Sequence, residues 1–163
     1  MKFDLKKNKY LYLEILCVIV LLIFIIVLCI SRSGGTKKSI EEISSPVIKV
    51  LQDNQMSKKT NADAIKAFGF DLSKTDGIVY YENENIMEVS EMVIIKLKDS
   101  NDAQEFKTLI EKRVEERKNL YKSYAPEQYA LLNDCIIESS SNAIFYCTAK
   151  NADKLFEIFK NSL

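Results

Sequence analysis

Residues 11–30 read LYLEILCVIVLLIFIIVLCI. From Ile15 to Ile30 there is no charge, no Gly and no Pro, and only Glu14 interrupts the apolar residues before that. A helix rises about 1.5 Å per residue, so about twenty residues cross a hydrocarbon layer of about 30 Å. The stretch is predicted to be a transmembrane helix, which commits everything after it to one side of a bilayer. Lys2, Lys6, Lys7 and Lys9 precede it, and few basic residues follow closely. The positive-inside tendency then puts residues 1–10 in the cytoplasm as a short tail and residues 31–163 outside. Arg32, Lys37 and Lys38 weaken that bias without reversing it. The organisation expected is a tail at 1–10, a span at 11–30, a flexible spacer at 31–38 and an extracytoplasmic domain at 39–163. Such a chain is a single-pass protein of the cell membrane, and its partner through residues 11–30 is the lipid bilayer.

Two rival readings attach to the same stretch. Ser31-Arg32-Ser33 puts small residues where a signal peptidase inspects the chain, yet the apolar core is longer than the about 7–15 residues of a secretory signal. Cys29 could carry a lipid, yet bulky Leu28 stands where lipoprotein signals want a small residue. The retained anchor is favoured, with Cys17 and Cys29 as ordinary apolar members of the span. Glu14, near the cytoplasmic end, reaches headgroup water, Lys7 or Lys9.

Composition removes whole classes of chemistry. The 163 residues include no His, which excludes Ser-His-Asp and Cys-His nucleophiles and His-ligated zinc. Four Gly, at 34, 35, 69 and 77, cannot build a phosphate-cradling loop. No catalytic, cofactor-binding or metal-ligating set is therefore assigned, and no cofactor is expected. Residues 1–30 hold four Lys against Asp4 and Glu14, which leaves 19 basic and 21 acidic residues in the remainder, a net of −2. That balance is not the footprint of a nucleic-acid binder, and no nucleic-acid partner is expected.

Beyond the spacer, Ser39-Ile40-Glu41-Glu42 has the spacing of a capping box, and Ile40, Ile43, Val47, Val50 and Leu51 fall near one helical face. Pro46 interrupts, so a kinked or two-piece helix is expected over 39–53. Thr60 is a candidate cap for a short helix holding Ile65 and Phe68, with Gly69 as its left-handed stop. Asp76-Gly77 is a turn signal ahead of a strand at Ile78–Tyr81. Met92–Lys98 is a second strand, with Val93, Ile95 and Leu97 on one face. A long helix over about 101–123 carries Ala103, Phe106, Leu109, Ile110, Val114, Arg117, Leu120, Tyr121 and Tyr124 on one face. Glu111, Lys112, Glu115, Glu116 and Lys118 form its solvated opposite face. Pro126 opens a short helix. Cys135–Ser139 and Ala143–Thr148 are strands around a turn at 140–142, and Ala152–Asn161 is the last helix. The fold expected is α+β: an antiparallel four-stranded sheet of two hairpins, helices packed mainly on one face, and one transmembrane helix in front.

The strand Glu91-Met92-Val93-Ile94-Ile95-Lys96 leads into a long charged helix through Ile110-Glu111-Lys112-Arg113. Next come Tyr124-Ala125-Pro126-Glu127-Gln128, Leu131-Leu132, a hairpin and a C-terminal helix. This pattern resembles the bacterial domain-of-unknown-function family 4358 over most of residues 40–160. The resemblance implies a small extracytoplasmic protein held to the membrane by a lipid-modified Cys or a single helix, and no activity, substrate or catalytic residue.

Three sets of residues are candidates for function. Tyr124, Pro126, Glu127, Gln128 and Tyr129 form a corner whose aromatic and polar side chains suit a contact surface, although each also has a structural use at a helix start. Glu82, Glu84, Glu88 and Glu91 suggest a calcium loop, but the stretch lacks the Asp and Gly such loops use, and a solvated loop is expected. Cys135 and Cys147 would oppose one another on one face around a turn centred on Ser141; a strained disulfide is conceivable, and two free thiols are favoured. Tyr80, Tyr81, Tyr121, Tyr124, Tyr129 and Tyr146 read as core-edge packing rather than as a sugar- or peptide-binding surface. The leading functional expectation is a non-enzymatic binding or accessory module of the cell envelope, with an envelope protein or polymer as partner. The alternatives are a carbohydrate- or peptidoglycan-acting enzyme or sensor using paired carboxylates, and a structural spacer or oligomerisation domain.

Overall fold

The computed structural model describes residues 5–32, 35–51 and 55–163, with side chains inside the first helix described over 13–26 only. Expectations resting on residues 1–4, on Ser33 and Gly34, on 52–54, and on the side chain of Cys29 lie outside the described residues. The chain divides into two compact units, 1–34 and 35–163.

The first unit is α1, Leu5–Arg32, 28 residues long, or about 42 Å at the helical rise. Its large apolar side chains from Leu13 to Ile26 are 46–62% exposed. Among the described residues no helix is long and apolar enough to cross a membrane. The charge-free run at 15–30 continues past the last side chain described there.

The second unit contains α2 (Ile40–Leu51), β1 (Met56–Lys58), α3 (Asn61–Phe68), β2 (Thr75–Asn83) and β3 (Glu91–Leu97). Then follow α4 (Ala103–Tyr121), α5 (Pro126–Asn133), β4 (Ile136–Ser140), β5 (Ala143–Thr148) and α6 (Ala152–Ser162). The sheet order is β1-β2-β3-β5-β4, and every neighbouring pair is antiparallel. The α+β class and both hairpins are as expected. The sheet has five strands rather than four, because Met56–Lys58 adds an edge strand along Tyr81–Asn83. Three residues are too few to show a period of two, so the sequence carried no signal for it.

The helices cover both faces of the sheet, not mainly one. β3 explains why: Val93, Ile95 and Leu97 alternate with Met92 and Ile94, and all five are fully buried. A strand apolar on both sides needs a layer on each. On one face Tyr80, Val93, Ile95 and Tyr146 pack against Phe68 of α3, Phe106, Ile110 and Val114 of α4, and Leu132 of α5. On the other, Val79, Met92, Ile94 and Phe145 pack against Ile43 and Val47 of α2 and Leu155 and Phe159 of α6.

Local sequence accounts for most boundaries. The Ser39 hydroxyl accepts from the Glu42 amide at 3.2 Å while the Glu42 carboxylate accepts from the Ser39 amide at 2.7 Å, the reciprocal capping box. Thr60 and Asp63 make a second one, and Gly69 ends α3 at φ 76°. Pro46 neither divides α2 nor starts a second piece. It sits on the exposed side of the helix, while Ile43, Val47 and Leu51 bury the opposite side. Asp76-Gly77 is not a turn but part of β2, at a register irregularity. A Cβ on Gly77 would stand 2.5 Å from Ile40 Cγ2. The glycine is there so that α2 can lie close against the strand. From Thr36 on, the chain before α2 is fastened to the domain. The Thr36 amide donates to Asn142 Oδ1 at 2.8 Å, and Lys38 Nζ donates to the Ser162 carbonyl at 2.7 Å.

Gly77→Ala should destabilise the protein by about 1–3 kcal/mol, the usual cost of an added group in a tightly packed site. Chemical denaturation of the full chain measures it, and wild-type stability would show that α2 does not seat on Gly77.

Candidate contact surface

Among the described residues one acid is fully buried, and it is central to the first apolar layer. Glu91 opens β3 on the same side as Val93 and Ile95, and its side chain has no solvent exposure. Arg113 grips it from α4, with Nε 3.1 Å from each carboxylate oxygen and Nη2 2.8 Å from Oε2. Arg117, one helical turn on, brings Nη1 to 2.7 Å from Oε1; this is an ion pair at close range whose alignment does not make a hydrogen bond. The Tyr146 hydroxyl donates to Oε1 at 2.7 Å, the Tyr80 hydroxyl to Oε2 at 3.3 Å, and Thr148 Oγ1 donates to Tyr146. Arg113 also donates to Glu82 and to the Ala67 carbonyl at the end of α3, and its guanidinium lies over the Phe68 ring, 4.8 Å from the centroid. Two guanidiniums and two carboxylates thus come together between sheet and helices.

Burial alone would push the Glu91 carboxyl up. Arg117 and Arg113, with the hydrogen bonds from Arg113 and Tyr146, outweigh it and hold the group below its ordinary value. Burial also works against both guanidiniums, and Glu91 raises both in spite of it. Burial and the Glu91 charge push the Tyr80 and Tyr146 phenols up, so both stay protonated donors.

The same helix holds the β2–β3 loop, residues 84–90. Arg117 Nη2 donates to the Glu88 carbonyl at 3.3 Å, and the Tyr121 hydroxyl donates to the Ile86 carbonyl at 3.1 Å. From α5, Gln128 Oε1 accepts from the Val89 amide at 2.9 Å, and its Nε2 donates to Glu88 Oε2 at 2.8 Å. Within the loop, Asn83 Oδ1 takes the Asn85 amide and Asn85 Oδ1 takes the Met87 amide, two Asx turns. The backbone is therefore held from both sides, with buried Val89 as its peg. Its tip points the other way: Ile86 is 87% exposed and Met87 57%. Tyr124 is also exposed, and its ring lies 5.4 Å from that of Tyr121, whose hydroxyl meets the Ile86 carbonyl.

The corner at 124–129 adjoins this loop through Gln128. Tyr124 is exposed, Pro126 is the first residue of α5, Glu127 faces solvent, Gln128 clamps the loop, and Tyr129 is half-buried against the core. Next to it opens a groove of about 480 Å³, with Glu88, Glu127, Asp134 and Lys150 among its lining residues. The acidic stretch does not gather as one loop. Glu82 lies in β2 against Arg113, Glu84 faces solvent, Glu88 meets Gln128, and Glu91 is buried rather than solvated. Among the described residues no group of His, Cys, Asp or Glu could hold a metal ion.

The cysteines are not opposed. β4 and β5 join through Ser141 and Asn142, with Ser141 at φ 56°, so the turn has two residues and Cys147 faces Ile136. Cys135 packs against the layer that holds Tyr146, Cys147 against the layer that holds Phe145, and both thiols are free. The Glu91 cluster was missed from sequence although its signal was present. Arg117 stands on the apolar face of α4, and Glu91 shares its strand parity with Val93 and Ile95; a cation and an acid, each on a core face, need one another.

The profile of a family described as a domain of unknown function, DUF4358, matches residues 49–149. The chain belongs to this family. The matched segment runs from the last residues of α2 to just past β5, and it includes the Glu91 cluster, the 84–90 loop and the 124–129 corner. No curated protein and no solved structure matches the chain.

Glu91→Gln takes the carboxylate from Arg117 and leaves Arg113 with Glu82, and should cost about 3–5 kcal/mol, the range for breaking a buried pair from one side. Because the Glu91 carboxyl is held low in the folded state, its contribution is full above the ordinary carboxylate range and is lost as pH falls through the lowered value. Unfolding free energy followed from neutral pH downward should fall more steeply for the wild type than for the variant; parallel curves would exclude Glu91 as a source of acid sensitivity. Gln128→Ala removes the partner of the Val89 amide and should speed hydrogen exchange at Val89 while leaving the β3 interior protected. Unchanged exchange would show that Gln128 does not hold the loop.

Proposed function

We propose that this DUF4358 protein is a non-enzymatic, membrane-tethered binding or accessory module of the cell envelope, with α1 in the bilayer and the loop at 84–90 as its contact surface. The observation that carries the reading is the ordered loop with a bare tip. A loop fastened through Ile86, Glu88 and Val89 backbone groups has already lost its freedom before a partner arrives. Presenting Ile86 and Met87 to water on such a rigid support has a use when something covers them. The membrane part rests on the exposed apolar side chains of α1 and on four lysines ahead of the apolar run. The carboxylate-enzyme alternative fares worse, since Glu91, the acid most strongly held, is sealed from any substrate by two arginines and two tyrosines.

Two measurements test this. The full-length protein should stay with membranes after high-salt and alkaline washing, and protease added to intact cells or spheroplasts should remove residues beyond the span; release by salt would overturn the tether. A photo-crosslinking residue at Met87 in living cells should give one discrete adduct with an envelope component. The same probe at Glu111, on the solvated face of α4, should give none, and monomer alone at both positions would overturn the binding module.

A further inference from the structure

We infer that the partner seated on this surface is a protein segment carrying basic residues interleaved with apolar ones. The inference rests on the binding-module reading and adds the chemistry of the partner. The apolar component is set by Ile86 and Met87 at the loop tip, with the exposed Tyr124 ring against Tyr121, whose hydroxyl holds the Ile86 carbonyl. The ionic component is set by the adjoining groove, whose charged lining among the described residues is Glu88, Glu127 and Asp134 with Lys150. Glu88 joins the two, since it directly follows Met87 in the loop and its carboxylate is steered by the Gln128 amide. A lysine or arginine beside an apolar side chain can therefore meet the groove while its neighbour covers the tip.

The sign of the groove decides among the other occupants of an exposed apolar tip. Anionic lipid headgroups would meet three carboxylates there, so a bilayer is disfavoured. A second copy of this face would set the same carboxylates against their own kind, which disfavours a symmetric self-pairing. Complementary charge then supplies steering and register, and the apolar tip supplies buried area.

The test uses the full-length protein in nanodiscs of neutral phosphatidylcholine, with empty nanodiscs subtracted. Three fluorescent peptides of equal length serve as probes: alternating lysine and leucine, alternating glutamate and leucine, and alternating lysine and serine. The lysine–leucine peptide should bind, with anisotropy falling as salt rises, and the other two should bind at least about tenfold more weakly. The triple variant Glu88→Gln, Glu127→Gln, Asp134→Asn should lose about tenfold, as three exposed charge pairs would predict, and so should Ile86→Ser with Met87→Ser. Ile86, Met87, Glu127 and Asp134 are exposed and Glu88 is half-buried, and an unchanged thermal unfolding curve would confirm that the variants fold. Equal binding of the acidic peptide, or unchanged binding in either variant, would overturn the inference. So would flotation of the protein's contact face with anionic vesicles, or self-association of the nanodisc-held protein. A Met87 crosslink to an envelope component whose joined segment is acidic or uncharged would leave the binding module standing and remove this partner chemistry alone.

Discussion

One carboxylate organises the domain. Glu91 lies at the start of the central strand β3, in a layer of apolar side chains, and two arginines from successive turns of α4 converge on it. Removing Glu91 and two guanidiniums from water is costly, and the cluster is tolerable because the carboxylate is met by both cations and by two hydroxyl donors. The pairing is directional where the apolar contacts around it are not. It fixes the rotation and the position of α4 along the sheet, which greasy contacts alone leave loosely defined.

What α4 can do beyond that follows from where it is pinned. Arg117 has one nitrogen on Glu91 and another on the Glu88 carbonyl, so the residue that locks the helix also holds the loop. Tyr121, one further turn along, holds Ile86, and α5 brings in Gln128. A loop that would otherwise sample many conformations is thereby ordered with its apolar tip outward, so much of the entropic cost of ordering it is met in folding rather than in binding. The core and the candidate contact surface are mechanically one object, built around the same helix.

The opposite face of the sheet has a different task. There α2 and α6 close over Val79, Ile94 and Phe145, with α2 drawn close by Gly77 and its leading segment fastened by Thr36 and Lys38. Asn142 Oδ1 takes the Thr36 amide near the exit of β3, while the Ile86–Met87 tip precedes its start, seven strand residues away. The Thr36 contact therefore lies at the opposite end of β3 from the bare apolar tip.

Much of this was legible in the order of residues. The apolar run at 11–30, the Ser39 capping box, the Thr60 cap, the left-handed stop at Gly69, the opening of α5 at Pro126 and the two hairpins all depend on neighbours a few positions apart, and such signals survive without tertiary context. The 124–129 corner was visible for the same reason. Other features depended on distant partners. Gly77 reads as a turn until Ile40 is packed on it, and β1 is too short to announce itself. The turn at 141–142 is one residue tighter than its composition suggests, which moves Cys147 off Cys135. Glu91 looks like one acid among four until Arg113 and Arg117 arrive from more than twenty residues away. Short-range hydrogen bonding and periodicity determined the elements; long-range burial of charge decided how they lock together, because only in the folded interior does an unpaired ion cost enough to choose its partner.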